Sequence, residues 1–137
     1  MLGRLGIDVN ERNVTTSDTL GHTSVHDTSK VAELKERHKA IRAKIGERTG
    51  KDRRIGQRLY RKYGTREKNR TAQITHEITK QVVRRAKEKR LGIVMENLKG
   101  IRRLYRKGNG HGRPYRGRMN SWTFREIQRQ VEYKARW

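Results

Sequence analysis

The sequence has no cysteine, which excludes a disulfide framework and any thiolate metal site within its 137 residues. It has one proline, Pro114, no apolar run long enough to cross a bilayer, and no signal-like apolar segment in its first residues. No membrane partner is expected, and the chain reads as cytoplasmic, so the sequons at Asn13 and Asn69 carry no glycosylation argument. Aromatic residues make up 6% and hydrophobic residues 31%, which leaves material for one small core and no second one. Acidic residues are scarce as well: 14 Asp and Glu stand against 36 Lys and Arg, giving a net charge of +22. A chain so charged repels itself, and a polyanion relieves that repulsion by neutralising cations and releasing counterions. Nucleic acid is the expected partner. A membrane surface fits less well, because the basic residues run along the whole chain and do not form one face of an anchor.

What is present falls into segments. In "RLGIDVNERN" the apolar residues alternate: Leu5, Ile7 and Val9 share one face and Gly6, Asp8 and Asn10 the other, as in a half-buried strand. "VTTSD" and "HTSVHD" are short, β-branched and turn-bounded, so residues 4–27 predict a three-stranded antiparallel meander. Asp27, Thr28 and Ser29 are capping types, followed by Val31, Leu34, His38, Ile41 and Ile45 at helical spacing up to Gly46. Ile55, Leu59, Tyr60 and Tyr63 predict a second helix ending at Gly64, and Ile74, Ile78, Val82 and Ala86 a third from about Asn69 to Arg90. "LGIVMEN" reads as a buried strand over 91–96 that ends at Glu96. Residues 99–120 are glycine-rich and basic and read as a long loop, and "SWTFREIQRQVEYKARW" as a helix over 121–137. The whole chain is then a single partial domain, with a helical region over 29–90 between the meander and the fourth strand.

An acid on the first strand and another at the end of the fourth can meet if those strands are parallel neighbours. Clustered carboxylates suit hard, oxygen-preferring cations such as Mg²⁺ or Mn²⁺, which polarise phosphodiesters and activate water. Two acids at this separation are equally compatible with solvated strand ends. The five histidines are scattered without metal-ligand spacing, and Tyr60 and Tyr63 read as packing residues. Arg84, Arg85, Lys87, Lys89 and Arg90 form a dense cationic run, for which phosphate contact and plain solvation both remain open. In the basic loop, Arg102, Arg103, Arg106, Lys107, Arg113, Arg116 and Arg118 are further candidates for nucleic-acid contact.

"LGIDVNERN" resembles the first catalytic motif of RuvC-like nucleases, "LGIVMENLKGI" the second, and "SWTFREIQRQVEYKARW" the helix that follows it. "NRTAQITHEITKQVVRRAKEKRLGIVMENLKGIR" is similar to the TnpB-type proteins of insertion sequences, also called OrfB transposases, relatives of type V CRISPR nucleases. The resemblance implies an incomplete α/β, RNase H-like (RuvC-like) fold, in which a helical insertion separates the meander from a parallel fourth strand. It implies Asp8 and Glu96 as two of three acids holding Mg²⁺ or Mn²⁺, and a transposon-encoded endonuclease that cuts DNA under the direction of a guide RNA. Family members carry a region before the first motif, and a zinc ribbon and a third catalytic Asp after the last helix. No residue here matches that third acid, so the sequence reads as a central portion, inactive by itself. Two other readings stay open: a non-catalytic RNA- or DNA-binding protein, and a transposon remnant that completes its sheet by pairing with another copy.

Overall fold

The computed structural model describes residues 2–97, 110, 112–114 and 124–136. Four strands and three helices follow one another as β1 (Gly3–Val9), β2 (Asn13–Asp18), β3 (Thr23–Asp27), α1 (Ser29–Thr49), α2 (Arg53–Glu88), β4 (Leu91–Met95) and α3 (Phe124–Ala135). The architecture is α/β, with one mixed sheet in the order β3-β2-β1-β4. β1 pairs antiparallel with β2, β2 antiparallel with β3, and β1 parallel with β4. β4 ends at Met95, one residue short of the sequence expectation.

Alternation in β1 sets the sheet's two faces. Leu5, Ile7 and Val9 are buried with Val14 from β2 and Leu91 from β4. Val82, Val83 and Ala86 of α2 and Phe124, Ile127 and Val131 of α3 cover that face. Burying such side chains is worth roughly 1.5–3 kcal/mol each, which is why this one-sided layer holds despite the low apolar content. The other face is open among the described residues: Val25 is 65% and Val94 49% exposed. The turn from α2 into β4 is tight, with Arg90 in the left-handed region at φ 53°. Its carbonyl accepts the Leu2 N–H at 2.8 Å, which ties the turn to the start of β1.

Three expectations from the sequence are corrected. α1 does not stop at Gly46, and Gly64 does not end a helix, because α2 runs unbroken through Gly64 and Asn69. The true start signal is Asp52, whose carboxylate accepts the N–H groups of Arg54 at 3.1 Å and Ile55 at 3.3 Å. Gly46 and Gly56 are instead crossing points of an α1–α2 hairpin. A Cβ on Gly46 would lie 3.1 Å from the Tyr60 hydroxyl, and one on Gly56 2.9 Å from Thr49 Oγ1. Third, the fully buried stripe of α2 before Val82 is Thr71, Thr75 and Thr79, while Ile74 and Ile78 are half-buried. Thr75 and Thr79 satisfy their hydroxyls on carbonyls one turn back and against Gln130 of α3. The polar residues therefore fill the seam between α2 and α3, and Ile74 lines a groove between α1 and α2 together with Leu34.

Candidate metal and nucleic-acid site

The register of the parallel pair decides where the two acids stand. Gly3 lies beside Leu91 and each step keeps pace, up to Ile7 beside Met95. The next residue of β1 is Asp8 and the first residue past β4 is Glu96, where the two strands run roughly 4.8 Å apart. Both are exposed. The local sequence holds them from two sides. Asn10, two residues on from Asp8, donates through Nδ2 to Asp8 Oδ2 at 3.4 Å and to Asn13 Oδ1 at 2.8 Å, across the turn that its own N–H closes on the Asn13 carbonyl. On the other strand Gln128 of α3 donates through Nε2 to the Glu96 carbonyl at 2.8 Å, fixing the end of β4.

No Lys or Arg among the described residues pairs with either carboxylate, in a chain with a net charge of +22. Two exposed acids in adjacent register at an open sheet end, without a Lys or Arg partner among the described residues, are of the oxygen-donor type that a hard divalent cation accepts. They are a pair and no more: among the described residues no group of three His, Cys, Asp or Glu side chains comes together. Asn10 was legible in principle, since strand periodicity puts it on the Asp8 face. Gln128 had no local signal, because its contact spans 32 positions of sequence.

The cationic run divides in two. Arg85 and Lys89 turn toward the sheet, where Arg85 Nη2 and Lys89 Nζ lie 3.6 and 3.5 Å from Asp18 Oδ2, and Arg85 also donates to Ser24 Oγ. Asp18 has no exposed side-chain surface, and its other oxygen accepts the backbone N–H groups of His22 and Leu20, both at 2.9 Å. The His22 N–H, opposed by burial and assisted by Leu20, Lys89 and His22, holds the Asp18 carboxyl below its ordinary range. Arg84, Lys87 and Arg90 are exposed. Arg84 and Lys87 border a groove floored by Val83, with Lys80 and Lys134 on its other margins. Arg113 is exposed, whereas Arg102, Arg103, Arg106, Lys107, Arg116 and Arg118 lie outside the described residues.

Over an alignment of 136 residues the chain is 32% identical to the TnpB-like protein MJ0751 of Methanocaldococcus jannaschii, with 96% of this chain and 48% of that protein covered. The chain thus spans about half the length of the curated relative it matches. No family model matches the chain. No solved structure matches it either. The similarity to that TnpB-like protein runs through nearly all of this chain's own length.

Proposed function

We propose that the chain is part of the RuvC-like, RNase H-type nuclease core of a transposon-encoded TnpB-type protein, with Asp8 and Glu96 contributing to its metal site. The observation that carries this reading is the in-step β1–β4 register, which brings Asp8 and Glu96 to adjacent positions at one sheet end, with no Lys or Arg paired to either among the described residues. Asp8 and Glu96 would hold Mg²⁺ or Mn²⁺, and the chemistry such an ion supplies is Lewis-acid polarisation of a phosphodiester oxygen. Asn10 keeps the Asp8 carboxylate oriented, and Gln128 keeps the strand end from fraying. The substrate class is DNA, with a guide-type RNA as the second partner. With no match to the family's third acid, the 137-residue chain is expected to bind nucleic acid and to cleave it negligibly.

Titration of the chain with Mn²⁺ tests the assignment. Asp8→Ala and Glu96→Ala should each weaken binding about 10-fold or more, in line with the loss of one of few charged ligands. Identical titrations in wild type and both variants would remove the metal role. The second reading, a basic nucleic-acid-binding protein without metal chemistry, draws on the +22 charge, and it predicts salt-sensitive binding that divalent ions do not alter.

A further inference from the structure

β3 is an edge strand whose outer side is unpaired among the described residues. Which of its backbone groups point outward follows from its ladder with β2. The Asp18 N–H reaches the His22 carbonyl at 2.9 Å and the Thr28 N–H reaches the Arg12 carbonyl at 2.8 Å, so residues 22 and 28 are bonded toward β2. Antiparallel pairing alternates, which turns Ser24 and His26 inward too and leaves the N–H and C=O groups of Thr23, Val25 and Asp27 facing out. The side chains of the same three residues stand exposed on the open face, Val25 at 65%. Ser24 and His26 point the other way, to Arg85 and Gln81 of α2. Natural sheets blunt a bare edge with Lys, Pro or a bulge. β3 has no Lys or Pro, and its register with β2 stays in step from Thr23 to Asp27.

Charge sets this edge apart in a chain of net charge +22. Residues 13–29 contain neither Lys nor Arg, the longest such stretch of the sequence, and hold two acids, Asp18 and Asp27. Asp18 is buried against Arg85 and Lys89, while Asp27 is exposed and spends one oxygen on the Ser29 N–H at 2.8 Å. A polyanion has nothing to hold here, and a second cationic chain meets the least repulsion here. β4, at the other edge of the sheet, lies between Arg90 and Lys99 in the sequence, so two copies meeting there bring like charges together. β3 is also complementary to itself. An antiparallel copy centred on Val25 sets valine against valine and Thr23 against the partner's Asp27, a hydroxyl facing a carboxylate. The outward groups of Thr23, Val25 and Asp27 then exchange about six backbone hydrogen bonds with the same groups of the copy.

We propose that β3 is a docking edge for a second copy of this chain, joined antiparallel about Val25 into one continuous sheet. Asp8, Thr15 and Val25 lie in one cross-strand row, so the Asp8 residues of the two copies stand on the same sheet face, about 24 Å apart at about 4.8 Å per strand step. The interface is small and the dimer weak, and salt strengthens it by screening the repulsion between two chains of +22. The test is sedimentation equilibrium of the whole chain, freed of nucleic acid and in EDTA, over about 10–500 µM protein and about 0.1–1 M salt. A species of twice the monomer mass should be populated and should grow with salt. Val25→Lys sets two cations against each other and should weaken association about 10-fold or more. Val94→Lys, the same charge change on the exposed valine of β4, should weaken it about 3-fold or less. Because the chain has no cysteine, register is tested directly: under mild oxidation Val25→Cys should cross-link two copies, and Thr23→Cys, set opposite the partner's Asp27, should not. A monomer throughout the range, equal loss in both lysine variants, or equal cross-linking at positions 23 and 25 would overturn the proposal. So would association that weakens with salt, which is how bridging by residual polyanion behaves. The proposal does not depend on the metal assignment, and in EDTA its outcome is separate from that of the Mn²⁺ titration.

Discussion

Asp18 carries an argument that only its surroundings supply. In sequence it is the last polar residue before a turn, and its Asx-type bonds to Leu20 and His22 fit that reading. What sequence does not show is that the same carboxylate draws in Arg85 and Lys89 from about 70 residues away, which moves them from the candidate nucleic-acid surface to the junction of sheet and helix. Because the folded state holds the Asp18 carboxyl below its unfolded value of about 3.9, its contribution is present above that pH and is lost as pH falls through the folded value. Thermal unfolding of wild type and Asp18→Asn should therefore differ near neutral pH and converge as the pH falls through the lowered folded-state value. A gap that persists in acid would mean that the carboxylate charge is not what matters. Asp8 and Asn10, by contrast, were readable from strand parity alone, since a period of two fixes which side chains share the open face.

At the scale of elements, the strands were legible and the helix ends were not. Short β-branched runs bounded by turn residues located β1, β2 and β3 closely, because alternation and turn chemistry are both local signals. Gly46 and Gly64 misled because glycine is a stop signal only where the backbone turns left-handed, and neither residue has positive φ. Nothing lies within 4 Å of a Cβ placed on Gly64, so Gly64→Ala should stabilise the chain by about 0.5–1 kcal/mol in urea unfolding. A loss of similar size would place a break in α2 at that point. The seam between α2 and α3 was missed for a different reason, since counting apolar residues passes over a threonine stripe. Gln130 is fully buried and bonds Thr79 and Thr75 at 2.9 Å and Glu126 at 3.0 Å. Gln130→Ala leaves a cavity and removes the bonds across the seam, while the two hydroxyls keep their carbonyl partners one turn back, and it should cost about 2–4 kcal/mol with an unchanged denaturant slope. A cost below about 0.5 kcal/mol would show that the seam is not what docks α3.

For the molecule as a whole, charge and topology combine. The net charge of +22 pointed to a polyanion from composition alone, but it could not say where on the surface the polyanion sits. The fold separates cations that brace the structure, such as Arg85, Lys89, Lys35 and Arg42, from exposed ones on the α1–α2 hairpin such as Lys51, Arg54, Arg58 and Arg61. It also carries two acids that stand 88 positions apart in sequence to the same end of one sheet. That juxtaposition needed the parallel β1–β4 pairing, a long-range event that no local window contains. The central claim is that this pair of carboxylates binds one divalent ion. Anomalous diffraction from crystals of the chain soaked in Mn²⁺ tests it most directly: a peak bridging the Asp8 and Glu96 carboxylates is predicted. Mn²⁺ peaks only elsewhere on the molecule, with both side chains free of metal, would contradict it.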